Sequence, residues 1–74
     1  MSEHNNMKRD QAIRRISYLT GEDIKDEFEK KEWQAAIKDE STFYVSSSNI
    51  EVVKVITYVK NDELIYDVLV MKER

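Results

Sequence analysis

The chain has 74 residues with no cysteine, no proline and one glycine, and its 15 acidic and 12 basic side chains leave a net charge of −3. One domain with a small core is what this length allows, and the missing thiols exclude a disulfide scaffold, cysteine-type structural zinc and thiol catalysis. The mild acidity favours solubility, argues against a dedicated nucleic-acid binder and is too weak to mimic nucleic acid.

Residues 1–5 read as a polar, disordered tail ahead of a single domain over 6–74. Such a start cannot supply the apolar part of a signal peptide, and no apolar run approaches the roughly 18 residues of a membrane span. The expected compartment is the cytoplasm, with no membrane contact. Asn5 or Asn6 caps a first helix that runs to about Leu19. Ala12, Ile16 and Leu19 share one face with Ile13 at its edge. Lys8, Arg14, Arg15 and Tyr18 point the other way. Gly21 suits the left-handed residue just past a helix end.

Thr20 to Asp23 resembles a capping box with Asp in place of Glu, opening a second helix that extends to about Asp39. Its apolar pattern is split. Ile24, Phe28 and Ala35 share one face, while Trp33 and Ile37 lie nearly opposite. One straight helix cannot turn both stripes toward one small core. Either the helix breaks near Glu29 to Lys31, or Trp33 and Ile37 face a second partner. No residue in that stretch is a helix breaker, which favours the second reading.

The period then changes from helix to strand. Thr42 to Ser46 is a short strand and Ser47 to Asn49 a turn. Two runs rich in β-branched residues, Ile50 to Lys60 and Glu63 to Met71, flank Asn61-Asp62, a two-residue hairpin turn. That turn sets a register. Lys60 faces Glu63, Val59 faces Leu64, Thr57 faces Tyr66, Val55 faces Val68, Val53 faces Val70 and Glu51 faces Lys72. Apart from the Lys60/Glu63 pair at the turn, these positions make a nearly continuous apolar face for the helices. The other face pairs Tyr58 with Ile65, Ile56 with Asp67, Lys54 with Leu69 and Val52 with Met71, leaving Lys54 and Asp67 as diagonal neighbours of opposite charge. A slip of one residue would scramble both patterns.

The fold class is therefore α+β, two N-terminal helices packed on one face of a three-stranded antiparallel β-meander in the order ααβββ. Two helices do not cover both faces of such a sheet, so the mixed face keeps surplus apolar surface. Trp33, Ile37, Val52, Ile56, Tyr58, Ile65, Leu69 and Met71 form the candidate protein interface, and the expected role is a non-catalytic interaction or regulatory module acting as a homodimer or on another protein. The alternative is nucleic-acid binding through Lys8, Arg14, Arg15 and Tyr18, with cations for phosphates and a ring for stacking.

Catalytic or metal chemistry finds no constellation. His4 stands alone, without a partner for acid–base work. The acids of the second helix, Glu22, Asp23, Asp26, Glu27, Glu29 and Glu32, alternate with Lys25, Lys30 and Lys31 as on an ordinary solvated face. Their spacing matches no calcium loop, and one glycine cannot build a phosphate-binding loop. No enzyme activity, cofactor or metal is expected.

Overall fold

The computed structural model describes residues 2–47 and 51–72, with side chains over 5–47 and 52–71. In chain order the elements are β1 (Ser2–Met7), α1 (Arg9–Thr20), α2 (Lys25–Ile37), β2 (Thr42–Ser46), β3 (Glu51–Lys60) and β4 (Glu63–Lys72). The class is α+β, but the sheet has four strands in the order β1-β4-β3-β2, all antiparallel neighbours. The expected tail over residues 1–5 is corrected for residues 2–5, the part that lies within the described residues. Ser2 lies opposite Val70, Glu3 opposite Leu69 and His4 opposite Val68, so this segment is an edge strand on β4. The segment is polar and lacks β-branched residues; pairing with β4, not intrinsic propensity, makes it a strand.

The hairpin has the register that its turn and alternation require, from Glu51 opposite Lys72 to Lys60 opposite Glu63. Asn61 and Asp62 both adopt positive φ, 52° and 64°, which is the type I′ geometry that matches strand twist. Asn6 (φ 62°) and Asp39 (φ 58°) are also left-handed. Short polar side chains tolerate this region, so four positions that glycine would ordinarily fill are taken by Asn and Asp. The single glycine, Gly21 at φ 74°, ends α1 and donates its N–H to the Ser17 carbonyl at 2.9 Å.

Both helix starts differ from the sequence reading. Asn5 and Asn6 belong to β1, and α1 begins after Lys8, whose N–H donates to Gln11 Oε1 at 2.9 Å. This is the back-reaching half of a capping box. Thr20 does not open α2. It is the last residue of α1, buried, with its hydroxyl donating to the Ile16 carbonyl at 2.9 Å. The start of α2 is held by Asp23, whose Oδ1 accepts from the Lys25 N–H at 3.2 Å. The helix α2 is continuous from Lys25 to Ile37, with no break at Glu29 to Lys31. The turn at Ser47 to Asn49 falls partly outside the described residues.

The core lies between the helices and one sheet face. Ala12, Ile13 and Ile16 of α1 meet Ile24, Phe28 and Ala35 from α2 and its cap, over Phe43, Val45, Val53, Val55, Tyr66 and Val68. Every sheet member of this set lies on the face that the register assigns to the helices. Leu19, expected with them, is only half-buried. The helix-bearing face is also not buried along its whole length. Val59 is 71% exposed and Leu64 51%, so the hairpin end beyond Thr57 and Tyr66 projects past the helices.

Candidate protein interface

The open face of the sheet is built from the alternate positions of its strands. Val52, Lys54, Ile56 and Tyr58 come from β3, Ile65, Asp67, Leu69 and Met71 from β4, and Tyr44 from β2, where it faces Lys54. Period-two alternation puts them all opposite the core residues. All but the exposed Tyr44 and the buried Ile65 are half-buried. Ile65 is 7% exposed yet outside the core cluster. The helices therefore leave a sheet face whose side chains shelter one another and nothing else.

Polar groups organise one side of this face. The Tyr58 hydroxyl donates to Asn6 Oδ1 at 2.7 Å and lies 3.1 Å from Asp67 Oδ1, which also accepts the Asn6 N–H at 3.1 Å. The left-handed Asn6 sits at the irregularity where the β1 register shifts between His4 and Met7. Partial desolvation, and then the Asp67 carboxylate, push the Tyr58 phenol above its ordinary range. Lys54 and Asp67 form no ion pair with each other. Their diagonal placement gives proximity without contact.

Trp33 and Ile37 are 68% and 63% exposed on the outer side of α2. They are therefore not core residues, and the two apolar stripes of α2 resolve into an inner face through Phe28 and Ala35 and an outer one. The sheet-face residues and the helix stripe thus lie on opposite sides of the molecule and do not come together.

The basic residues of the first helix are also divided. Arg9 is taken inward. Its Nε donates to Glu32 Oε1 at 3.0 Å, Nη2 reaches the same oxygen at 2.9 Å and Glu29 at 3.6 Å, and the guanidinium lies 5.7 Å from the Phe28 ring centre. Glu32, the strongest of these partners, raises the Arg9 pKa. The other oxygen of Glu32 accepts a short hydrogen bond from the Tyr66 hydroxyl. Lys8 pairs with Glu63 at 3.6 Å. Arg14, Arg15 and Tyr18 line an open groove with Asn6, Met7 and Gln11, and Arg15 stacks on Tyr18 at 5.7 Å. Lys8 is not part of this groove.

Among the described residues no cluster of three or more acidic or histidine side chains is placed to hold a metal. The His4 side chain lies outside those described. No helix among the described residues is long and apolar enough to cross a membrane. Sequence reasoning did not include Tyr44 and Asn6 in the site. Tyr44 was available from the alternation Phe43-Tyr44-Val45, whereas Asn6 becomes visible only once β1 joins the sheet. Comparison with protein-family models, with curated proteins and with solved structures yields no match.

Proposed function

We propose that the protein is a non-catalytic interaction module that works as a homodimer through the open face of its sheet. The observation that carries this reading is the set of large apolar side chains, Tyr44, Val52, Ile56, Tyr58, Leu69 and Met71, on the face opposite the core cluster. A surface of this kind gains free energy when another apolar surface removes it from water. Two strands of ten residues flanked by two shorter ones give a face of about 500 Å² in plan. Projecting side chains raise its accessible area toward the ~800 Å² per partner of a standard interface, provided nearly the whole face is used. A second copy supplies a matching area of the same shape and composition. The Trp33 and Ile37 stripe is narrower, and it stays available for a further partner.

Light scattering or sedimentation at micromolar concentration tests the dimer. The expected result is twice the chain mass, with Leu69→Glu giving a folded monomer. Lys54 opposite position 69 offers the new carboxylate a cross-strand partner in the free chain, whereas a second sheet would bury that charge at a cost. A monomer at high micromolar concentration in the unsubstituted protein overturns the reading.

The groove beside α1 favours a second reading, binding of a nucleic-acid strand. Arg14 and Arg15 make no ion pair among the described residues, and Tyr18 is exposed for stacking. This reading predicts binding that weakens with salt and is lost in the Arg14→Ala/Arg15→Ala variant. Absence of any complex with single-stranded DNA or RNA at low salt removes it. The net charge of −3 makes it the weaker of the two.

A further inference from the structure

The two central strands place one charge of each sign in the middle of the open face, Lys54 and Asp67, while Lys60 and Glu63 stand at its hairpin end and Glu3 at its β1 edge. Lys54 and Asp67 belong to the two central strands, β3 and β4, in adjacent rows. Rows on one face are about 6.7 Å apart and strands about 4.8 Å, so the diagonal from position 54 to position 67 is about 8 Å. Leu69 and Ile56 fill the other two corners of this central quartet. Within the chain the two charges do not meet, as no ion pair joins them. Asp67 Oδ1 takes the bonds from Asn6 and Tyr58, while Oδ2 makes none among the described residues. The centre of an apolar face is the costliest place to leave a charge unpaired once a second surface closes over it.

A two-fold axis lying between two such faces offers few ways to close them centre on centre. With the axis along the strands, each Lys54 lands on the partner's Leu69 and each Asp67 on the partner's Ile56. With the axis across the strands, Lys54 lands on the partner's Ile56 and Asp67 on the partner's Leu69. Both aligned arrangements bury charges against apolar groups. With the axis along the diagonal itself, Lys54 meets Lys54 and Asp67 meets Asp67, which repels. With the axis perpendicular to the diagonal, Lys54 of each chain meets Asp67 of the other, twice by symmetry. Rotation about that axis crosses the two sets of strands at about 70°, within the orthogonal class of sheet packing.

We propose that the second copy docks in this last arrangement, sheet crossed on sheet, with two reciprocal Lys54–Asp67 ion pairs at the centre and the apolar residues around them. The proposal rests on the dimer reading above and adds to it a register, a crossing angle and a handedness. The central charges then act as the selector. Taken between these two groups alone, three of the four centred arrangements are costly and one is favourable, which is how charge patterns commonly set the partner and orientation of an interface.

The test is a charge exchange followed by light scattering and sedimentation, with circular dichroism confirming that each variant is folded. Lys54→Asp and Asp67→Lys, each alone, are expected to raise the dimer dissociation constant roughly a hundredfold. Mixing these two variants is expected to restore a dimer containing one chain of each. Because Asp67 also accepts bonds within its own chain, Asp67→Asn provides a second probe. It keeps an acceptor for Asn6 and Tyr58, removes the charge, and is expected to weaken the dimer while leaving the monomer spectrum unchanged. A dimer that persists at unaltered strength in Lys54→Asp and Asp67→Asn overturns the crossed geometry while leaving the dimer intact. A monomeric unsubstituted protein overturns both.

Discussion

Phe28→Ala is expected to remove most of the stability of the fold. Phe28 is fully buried at the point where both helices and the sheet meet. Its ring packs edge-on to Phe43 at 5.2 Å and tilted against Tyr66 at 5.9 Å, and the Arg9 guanidinium lies 5.7 Å from its centre. Truncation of such a residue costs about 3–5 kcal/mol, from lost burial and the cavity left behind. A domain of this length holds roughly 4–11 kcal/mol in total at 0.05–0.15 kcal/mol per residue. Urea unfolding followed by circular dichroism, at one fixed chain concentration because dimerisation would add to the apparent stability, should show a transition shifted close to zero urea or lost. Trp33→Ala on the same helix is the control. Trp33 is largely exposed, so the expected change in monomer stability is below about 0.5–1 kcal/mol. Equal effects at the two positions would refute the assignment of inner and outer stripes.

The second large effect concerns pH. The Tyr66 side chain is fully buried, and its hydroxyl donates to Glu32, which Arg9 also holds. Burial first, and then the bond to the Glu32 carboxylate, push the phenol well above its ordinary value. In the unfolded chain a tyrosine titrates near pH ~10. Above that pH the unfolded state releases a proton that the folded state keeps, so the unfolded state binds fewer protons and stability falls as pH rises. The contribution is fully present below pH ~10 and declines at up to about 1.4 kcal/mol per pH unit until the folded phenol itself ionises. Chemical unfolding between pH 8 and pH 12 should show this decline, and Tyr66→Phe should flatten most of it. Tyr58, raised for similar reasons, adds to the slope in the same direction, and Tyr58→Phe separates the two. An unchanged alkaline slope in Tyr66→Phe would show that the Glu32 bond does not set the behaviour.

The hairpin was legible from the sequence alone because everything that specifies it is local. Two runs of β-branched residues flank a turn whose Asn and Asp accept positive φ, and the alternation makes any slip visible. The inner stripe of α2 was legible for the same kind of reason, since helical spacing alone joins Ile24, Phe28 and Ala35. Where the two stripes of α2 conflicted, the sequence posed the question without answering it.

Only the tertiary structure decided the rest. Residues 2–7 carry no strand signal, and they become β1 because β4 offers a free edge, from Met7 opposite Tyr66 to Ser2 opposite Val70 at the far end of the sequence. Val59 and Leu64 continue the apolar face in pattern but not in burial, because the helices end before the hairpin does. Nothing in the sequence sets Arg9 apart from Lys8, Arg14 and Arg15, yet Glu32, itself bonded by Tyr66, holds it against the core, and only the packing brings the three together. What the sequence by itself determined is the α+β class, the hairpin register and the existence of a second apolar face, because period and turn chemistry act within a few residues. How far the helices cover their own face, and where the sheet ends, depend on long-range pairing and on the reach of the helices, and these are properties of the assembled fold.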